Sequence, residues 1–113
     1  MEKIALIPAY QPDENLYDIV QELKKLNFRI FVVNDGSYNE ISKYVFDQIS
    51  NDCEIIKLEI NKGKGAALKA GLQRIKQLRL ISSNIVTLDA DGQHLPCDAD
   101  NVLKELHRSN ADL

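Results

Sequence analysis

Residues 30–37 have the sequence IFVVNDGS, an apolar strand pattern that ends in a polar turn. A strand that is apolar at every position is typical of a parallel sheet whose two faces are both covered by helices. Other strand-like runs occur at residues 4–7, 54–60 and 85–88, and helical patterns separate them. The alternation predicts an α/β fold of four βα units, with a parallel sheet and helices on both faces.

Within this pattern, Pro8 is expected to end the first strand. The third strand is half polar, with Ile56, Leu58 and Ile60 on one face, and is expected at a sheet edge. The expected buried stripes of the helices are Leu16, Ile19, Val20, Leu23 and Leu26; Ile41, Tyr44, Val45 and Ile49; Ala67, Leu68, Gly71, Leu72, Ile75 and Leu78; and, after a start near Asp98, Val102, Leu103 and Leu106.

The chain has 113 residues, of which 44% are hydrophobic and 27% charged, and its net charge is −3. These values predict a single domain over residues 1–113, and the charge gives no basic surface for nucleic acid. Cys53 and Cys97 lie far apart and do not indicate a disulfide framework, so a reducing, cytoplasmic location fits. No apolar run is long enough to span a membrane. The last residues, 110–113, resemble the approach to a fifth strand, as in a truncated chain.

Four polar segments follow the four predicted strands, at residues 8–10, 34–37, 61–65 and 89–92. Each alone can be an ordinary turn, because glycine, asparagine and aspartate are common turn residues. In an open α/β sheet, however, ligands bind outside the carboxyl ends of the strands, where all four segments would meet. Together they predict a ligand site on that edge.

The segment after the fourth strand carries two acids, Asp89 and Asp91. Side chains two residues apart can project to the same side, where two carboxylates without a counter-ion repel each other. Oxygen ligands of this kind suit Mg²⁺ or Mn²⁺, and Gln93 can add an amide oxygen. The alternative is a solvated acidic turn that caps the next helix.

Three further side chains suit a nucleotide. Lys64 lies in a glycine-spaced turn before a helix, where backbone N–H groups and the helix dipole favour a diphosphate, although a helix-entry turn with solvated lysines is the simpler interpretation. Asp35 would stand at the sheet edge and accept from a ribose hydroxyl or a base N–H. Tyr10 would stack on a base or cover the edge of the sheet.

In order and spacing, the motifs at residues 7–10, 32–37, 61–67 and 89–94 resemble those of family 2 inverting glycosyltransferases. The resemblance is strongest to dolichyl-phosphate mannose synthase and its bacterial polyprenyl-phosphate relatives. It implies a Rossmann-like nucleotide-diphospho-sugar transferase fold and transfer of a sugar from a UDP- or GDP-linked donor. The implied acceptor is a polyprenyl phosphate or a glycan hydroxyl, and the implied location is cytoplasmic, at the inner face of the membrane.

The resemblance also implies roles for individual residues. Asp91 would have the catalytic role of holding the cation on the diphosphate, and the general base is expected beyond residue 113. The implied metal ligands are Asp89, Asp91 and Gln93, and the implied substrate-binding residues are Pro8, Ala9, Tyr10, Asp35, Lys64, Asp89 and Ala90. Two departures from the family pattern, Pro12 and Asn34, concern the choice of base.

Other protein classes share parts of the pattern. A nucleotide-binding module without catalysis would carry every motif described above. A phosphatase of the haloacid dehalogenase type also places Asp-x-Asp-Gly after an apolar strand, but near its N-terminus and with a different following residue than Gln93. A nicotinamide oxidoreductase is disfavoured because no Gly-x-Gly-x-x-Gly follows the first strand.

Overall fold

The computed structural model describes residues 2–80 and 84–91. Its elements, in chain order, are β1 (Lys3–Ala9), α1 (Glu14–Lys25), β2 (Phe28–Asp35), α2 (Glu40–Ile49), β3 (Glu54–Leu58), α3 (Lys64–Gln77) and β4 (Asn84–Thr87). The four strands form one parallel sheet in the order β3-β2-β1-β4. The predicted α/β fold is confirmed, and β3 lies at an edge. The helix expected from Asp98 lies outside the described residues.

Both faces of the sheet are buried, which explains the continuous apolar runs Ile4–Ile7 and Ile30–Val33 in its inner strands. Alternate residues of β1 and β2 point to opposite faces. Ala5, Ile7, Ile30 and Val32 pack in the cluster under α1 and α2, whereas Ile4, Leu6, Phe31 and Val33 pack in the cluster under α3. Most of these side chains are fully buried, and burial of each valine, leucine, isoleucine or phenylalanine contributes about 1.5–3 kcal/mol.

Contrary to the sequence prediction, Pro8 does not end β1. It ends only the pairing of β1 with β4, and the pairing with β2 continues. The β1–β4 pairing stops at Leu6 opposite Thr87, and Leu88 N donates to Leu6 O at 3.1 Å. In a parallel ladder the next donor toward β4 would be the N–H of residue 8, which proline lacks. On the other side, the β1–β2 pairing continues to Ala9 opposite Asn34. The sheet therefore opens between the ends of β1 and β4.

Helix α1 follows its predicted stripe, and α2 does not. Asp13 caps α1 by accepting from Asn15 N at 2.9 Å, and the buried residues are Leu16, Ile19, Val20 and Leu23. In α2 the buried residues are Ser42, Val45, Phe46 and Ile49, whereas Ile41 and Tyr44 are 62% and 65% exposed. Ser42 Oγ donates to Pro12 O at 3.3 Å, so a small polar residue takes the inward position that the pattern assigned to Ile41.

Helix α3 packs against β1 and β2 through a glycine. A Cβ atom at Gly71 would lie 2.3 Å from Leu6 Cδ1 and 3.1 Å from Val33 Cγ2, so a larger residue there would require the Leu6 side chain to move. Leu72, expected on the buried stripe of this helix, is 40% exposed. Ile60, expected in the third strand, lies beyond the end of β3 and is 64% exposed. Among the described residues, no helix has the length and apolar character that a membrane span requires.

Candidate functional site

A cleft of about 120 Å³ lies at the carboxyl ends of the strands, where β1 and β4 separate. The chain turns back at this point, because β2 and β3 lie on one side of β1 and β4 on the other. Such a reversal of strand order is the usual ligand position in open α/β sheets. The cleft is lined by Pro8, Ala9, Tyr10, Asp35, Lys64 and Asp89. All six are residues that the sequence singled out for nucleotide binding.

A larger groove of about 560 Å³ lies between α1 and α2, lined by residues such as Tyr17, Ile41 and Tyr44. It contains none of the residues predicted for the site, and no strand residue lines it. Exposed apolar side chains on two neighbouring helices account for it, so volume alone does not locate the chemistry of this protein.

Asp35 is the most deeply buried acid of the cleft, at 3% exposure. Its Oδ1 accepts from Lys62 N at 2.8 Å and its Oδ2 accepts from Gly63 N at 3.0 Å. Hydrogen bonds from backbone N–H groups to a carboxylate are charge-assisted and strong. Asp35 therefore holds the β3–α3 loop against the end of β2, a role that the sequence did not indicate. Each oxygen retains a lone pair for a ligand.

Gly36, directly after β2, allows the β3–α3 loop to approach the end of that strand closely. Its φ is +71°, and its N–H donates to Asn34 O at 3.0 Å in a tight turn. Ser37 N donates to Asn34 Oδ1 at 3.0 Å, which closes the turn. A Cβ atom at Gly36 would lie 2.2 Å from Asn61 N. The backbones of the two loops thus touch at a position where only glycine fits.

Lys64 and Asp89 form an ion pair at the cleft. Lys64 is the first residue of α3, and its Nζ lies 2.5 Å from Asp89 Oδ1. The lysine side chain is 62% exposed and the aspartate 25% exposed. The helix N-terminus, with Gly63 as its cap and no side-chain cap, adds backbone N–H groups near this pair. The arrangement offers positive charge to an anion and a carboxylate to a cation.

Tyr10 forms the outer wall of the cleft and is 46% exposed. Partial burial raises the pKa of its hydroxyl above the ordinary tyrosine value, and a hydrogen bond with Tyr38 raises it further, while one with Asn61 opposes the change. The hydroxyl therefore stays protonated at neutral pH, and the ring offers a neutral aromatic face.

The three remaining predicted site residues follow β4 in the sequence. Ala90 is partly buried and packs against the core under α1 and α2. Asp91 is exposed and is the last described residue, and Gln93 lies outside the described residues. Within residues 2–80 and 84–91, no group of three or more histidine, cysteine or acidic side chains could hold a metal ion. Of the two acids predicted as metal ligands, Asp89 lines the cleft and Asp91 does not.

Sequence reasoning missed Gln11, which bonds the loops around the cleft. Gln11 Oε1 accepts from Tyr38 N at 2.8 Å and from Asn39 N at 3.1 Å, and Gln11 N donates to Ser37 Oγ at 2.8 Å. A glutamine in a loop gives no periodic signal, because its partners lie more than 25 positions away along the chain. Its position next to Tyr10 was the available hint.

The strand order, the reversal at β1 and the cleft at the carboxyl edge define a Rossmann-like α/β protein. The chain belongs to glycosyl transferase family 2, whose family model matches residues 4–113.

The chain is also similar to proteins from Methanocaldococcus, Methanococcus and Staphylococcus. An uncharacterized protein of Methanocaldococcus jannaschii is 34% identical over 113 residues, which cover 96% of this chain and 48% of that protein. The UDP-N-acetylglucosamine–dolichyl-phosphate N-acetylglucosaminyltransferase of Methanococcus voltae is 31% identical, over 89% of this chain and 45% of the enzyme. The poly-beta-1,6-N-acetyl-D-glucosamine synthase of Staphylococcus epidermidis is 28% identical, over 76% of this chain and 21% of the enzyme. The chain thus spans half or less of the length of these relatives.

Proposed function

We propose that this chain is the nucleotide-sugar-binding part of a metal-dependent, inverting glycosyltransferase. The donor is a UDP- or GDP-linked sugar, and the acceptor is a polyprenyl phosphate or a glycan hydroxyl. The observation that supports the proposal best is the cleft itself, because six residues from four separate segments of the chain line it. The names of two relatives, an N-acetylglucosaminyltransferase and a poly-N-acetylglucosamine synthase, are in keeping with such a donor.

In this proposal the cleft binds the two ends of a nucleoside diphosphate differently. Tyr10 presents its ring to the base, and Asp35 accepts a hydrogen bond from the base or ribose through a lone pair that the loop leaves open. Lys64 and the N–H groups at the start of α3 face the diphosphate. Pro8 and Ala9 form the floor, where the absence of polar side chains lets the ligand approach the backbone.

The acids after β4 suit a divalent cation. A diphosphate next to Asp89 places several negative charges together, and one lysine cannot neutralise them all. Asp89 and Asp91, with Gln93, would hold Mg²⁺ or Mn²⁺, a pattern of few oxygen ligands that leaves positions for phosphate oxygens. When bound, the ion stabilises the negative charge of the departing diphosphate. Lys64 would then exchange Asp89 for a phosphate, which releases that carboxylate to the cation.

The base specificity and the proposal as a whole can be tested by thermal shift. We expect UDP or GDP, with Mn²⁺, to raise the melting temperature, since a ligand at a hundred times its Kd stabilises the folded state by about 2.7 kcal/mol. ADP and CDP at equal concentration serve as controls for nonspecific anion binding. If none of the four diphosphates shifts the transition with or without Mn²⁺, the chain does not bind a nucleotide-sugar donor on its own and the proposal fails.

Lys64→Met is expected to change two affinities in opposite directions. Loss of the ammonium should weaken nucleoside diphosphate binding about tenfold, which corresponds to about 1.4 kcal/mol. The same change leaves Asp89 without its cation, so bare Mn²⁺ should bind more tightly than it does to the native chain. Isothermal titration of each ligand measures both effects.

Lys62→Met is the matched control for this variant. Lys62 is also exposed and precedes the same helix, but it contributes its backbone N–H to Asp35 and its side chain does not line the cleft. Because a surface ion pair is worth less than about 1 kcal/mol, neither variant should unfold the protein. Equal losses of diphosphate affinity in both variants would mean that Lys64 acts only through general charge.

A further inference from the structure

Gln11 connects the loop after β1 to the loop after β2 by three hydrogen bonds. Its side-chain oxygen accepts from two successive backbone N–H groups, those of Tyr38 and Asn39, and its own N–H donates to Ser37 Oγ. Gln11 does not line the cleft, but it directly follows Tyr10, which does. We infer that Gln11 is a positioning residue that fixes Tyr10 and Tyr38 at the base end of the cleft, an inference that rests on the proposed function.

The backbone of Gln11 supports this role. Among the described residues, positive φ outside glycine occurs at Gln11 (+51°), Asn27 (+64°) and Arg79 (+61°). Asn27 and Arg79 directly follow the helix C-caps Leu26 and Leu78, where a left-handed residue is the ordinary way to end a helix. Gln11 lies in the loop before α1, and no helix end explains its conformation. A left-handed residue of this kind persists where tertiary contacts hold it, as functional sites often require.

The three hydrogen bonds place two tyrosines side by side. Tyr10 precedes the left-handed residue, so the φ of Gln11 sets the direction in which the chain leaves the cleft wall. The bond to Tyr38 N fixes the backbone of the second tyrosine, whose side chain is near enough to Tyr10 to raise the pKa of its hydroxyl. Tyr38 is 69% exposed, so little else restrains its side chain. Without Gln11, the base end of the cleft loses its fixed aromatic wall.

The test compares Gln11→Ala with Gln11→Glu and with Gln48→Ala as a matched control. Glutamate keeps the acceptor oxygen, and alanine removes it. Gln48 is an exposed glutamine of α2 whose amide donates to the Tyr44 hydroxyl, so its loss leaves the two loops connected. In Gln11→Ala we expect faster hydrogen exchange at the Tyr38 and Asn39 amides and about tenfold weaker binding of UDP or GDP with Mn²⁺, equivalent to about 1.4 kcal/mol. In Gln11→Glu we expect hydrogen exchange at the Tyr38 and Asn39 amides to be as slow as in the native chain.

The outcomes separate the inference from the function on which it rests. If the native chain binds neither UDP nor GDP, the proposed function fails and the role of Gln11 in it fails too. If the native chain binds and Gln11→Ala binds equally well, the proposed function stands and the positioning role is wrong. Should Gln11→Ala fold poorly, Ser37→Ala replaces it, since that change removes only the acceptor of the Gln11 N–H. Unchanged affinity in Ser37→Ala, together with faster exchange at the residue 11 amide, would equally overturn the inference, because the loop would be loosened without effect on binding.

Discussion

Gly36→Ala is expected to destabilise the protein by about 2–5 kcal/mol, because it combines a left-handed backbone with a steric clash. The φ of Gly36 is +71°, and an added Cβ would lie 2.2 Å from Asn61 N and 2.4 Å from the carbonyl carbon of Ile60. Both are backbone atoms, so the clash cannot be relieved by turning a flexible side chain. Urea denaturation followed by circular dichroism measures the loss.

Two other glycines provide graded controls for this variant. Gly63 also has positive φ, at +96°, but a Cβ there meets no atom within 4 Å, so Gly63→Ala should show the backbone cost alone. Gly65 has neither feature, and Gly65→Ala in the first turn of α3 should be neutral or stabilising by about 1 kcal/mol. Equal stability losses in Gly36→Ala and Gly63→Ala would contradict the close contact between the two loops.

The arrangement of strands was predictable because it depends on patterns that are local in sequence. In strand β2 every buried position from Phe28 to Val33 is apolar, and burial on both faces of a sheet favours this composition. The site segments were predictable for a related reason, since the carboxyl ends of parallel strands meet at one edge whatever the details of packing. The convergence of Pro8, Asp35 and Asp89 on one cleft follows from topology alone.

The parts that were not predictable depend on contacts between distant residues. In α2 the sequence admits two overlapping stripes, and the observed one buries Ser42, whose hydroxyl donates to Pro12 O, and leaves Ile41 exposed. The two backbone partners of Asp35 and the two of Gln11 lie 27 or 28 positions away in the chain. Side chains that bond backbone N–H groups of another loop have no sequence period, so no pattern reveals them.

Asp91→Ala is expected to lower the affinity for UDP or GDP in the presence of Mn²⁺ by at least about a hundredfold, since even residues that merely orient metal ligands can cost 10- to 100-fold. The physical reason is that Asp91, in the proposed function, holds the cation on the diphosphate. Without metal, the expected effect has the opposite sign. Removing one negative charge beside a polyanion reduces repulsion, so the variant should bind the metal-free nucleotide slightly more tightly than the native chain does.

This reversal of sign distinguishes a metal bridge from ordinary charge effects. Asp47→Ala, at an exposed acid of α2, removes the same charge away from the cleft and should leave both affinities unchanged. Calorimetric titration of native chain, Asp91→Ala and Asp47→Ala, each with Mn²⁺ and with a chelator, gives the six affinities needed. If Mn²⁺ strengthens nucleotide binding equally in all three chains, Asp91 holds no cation, and the metal-dependent part of the proposed function is wrong. An acid beside a diphosphate strengthens binding only when a cation lies between them, so the metal dependence of Asp91→Ala decides whether Asp91 holds the cation.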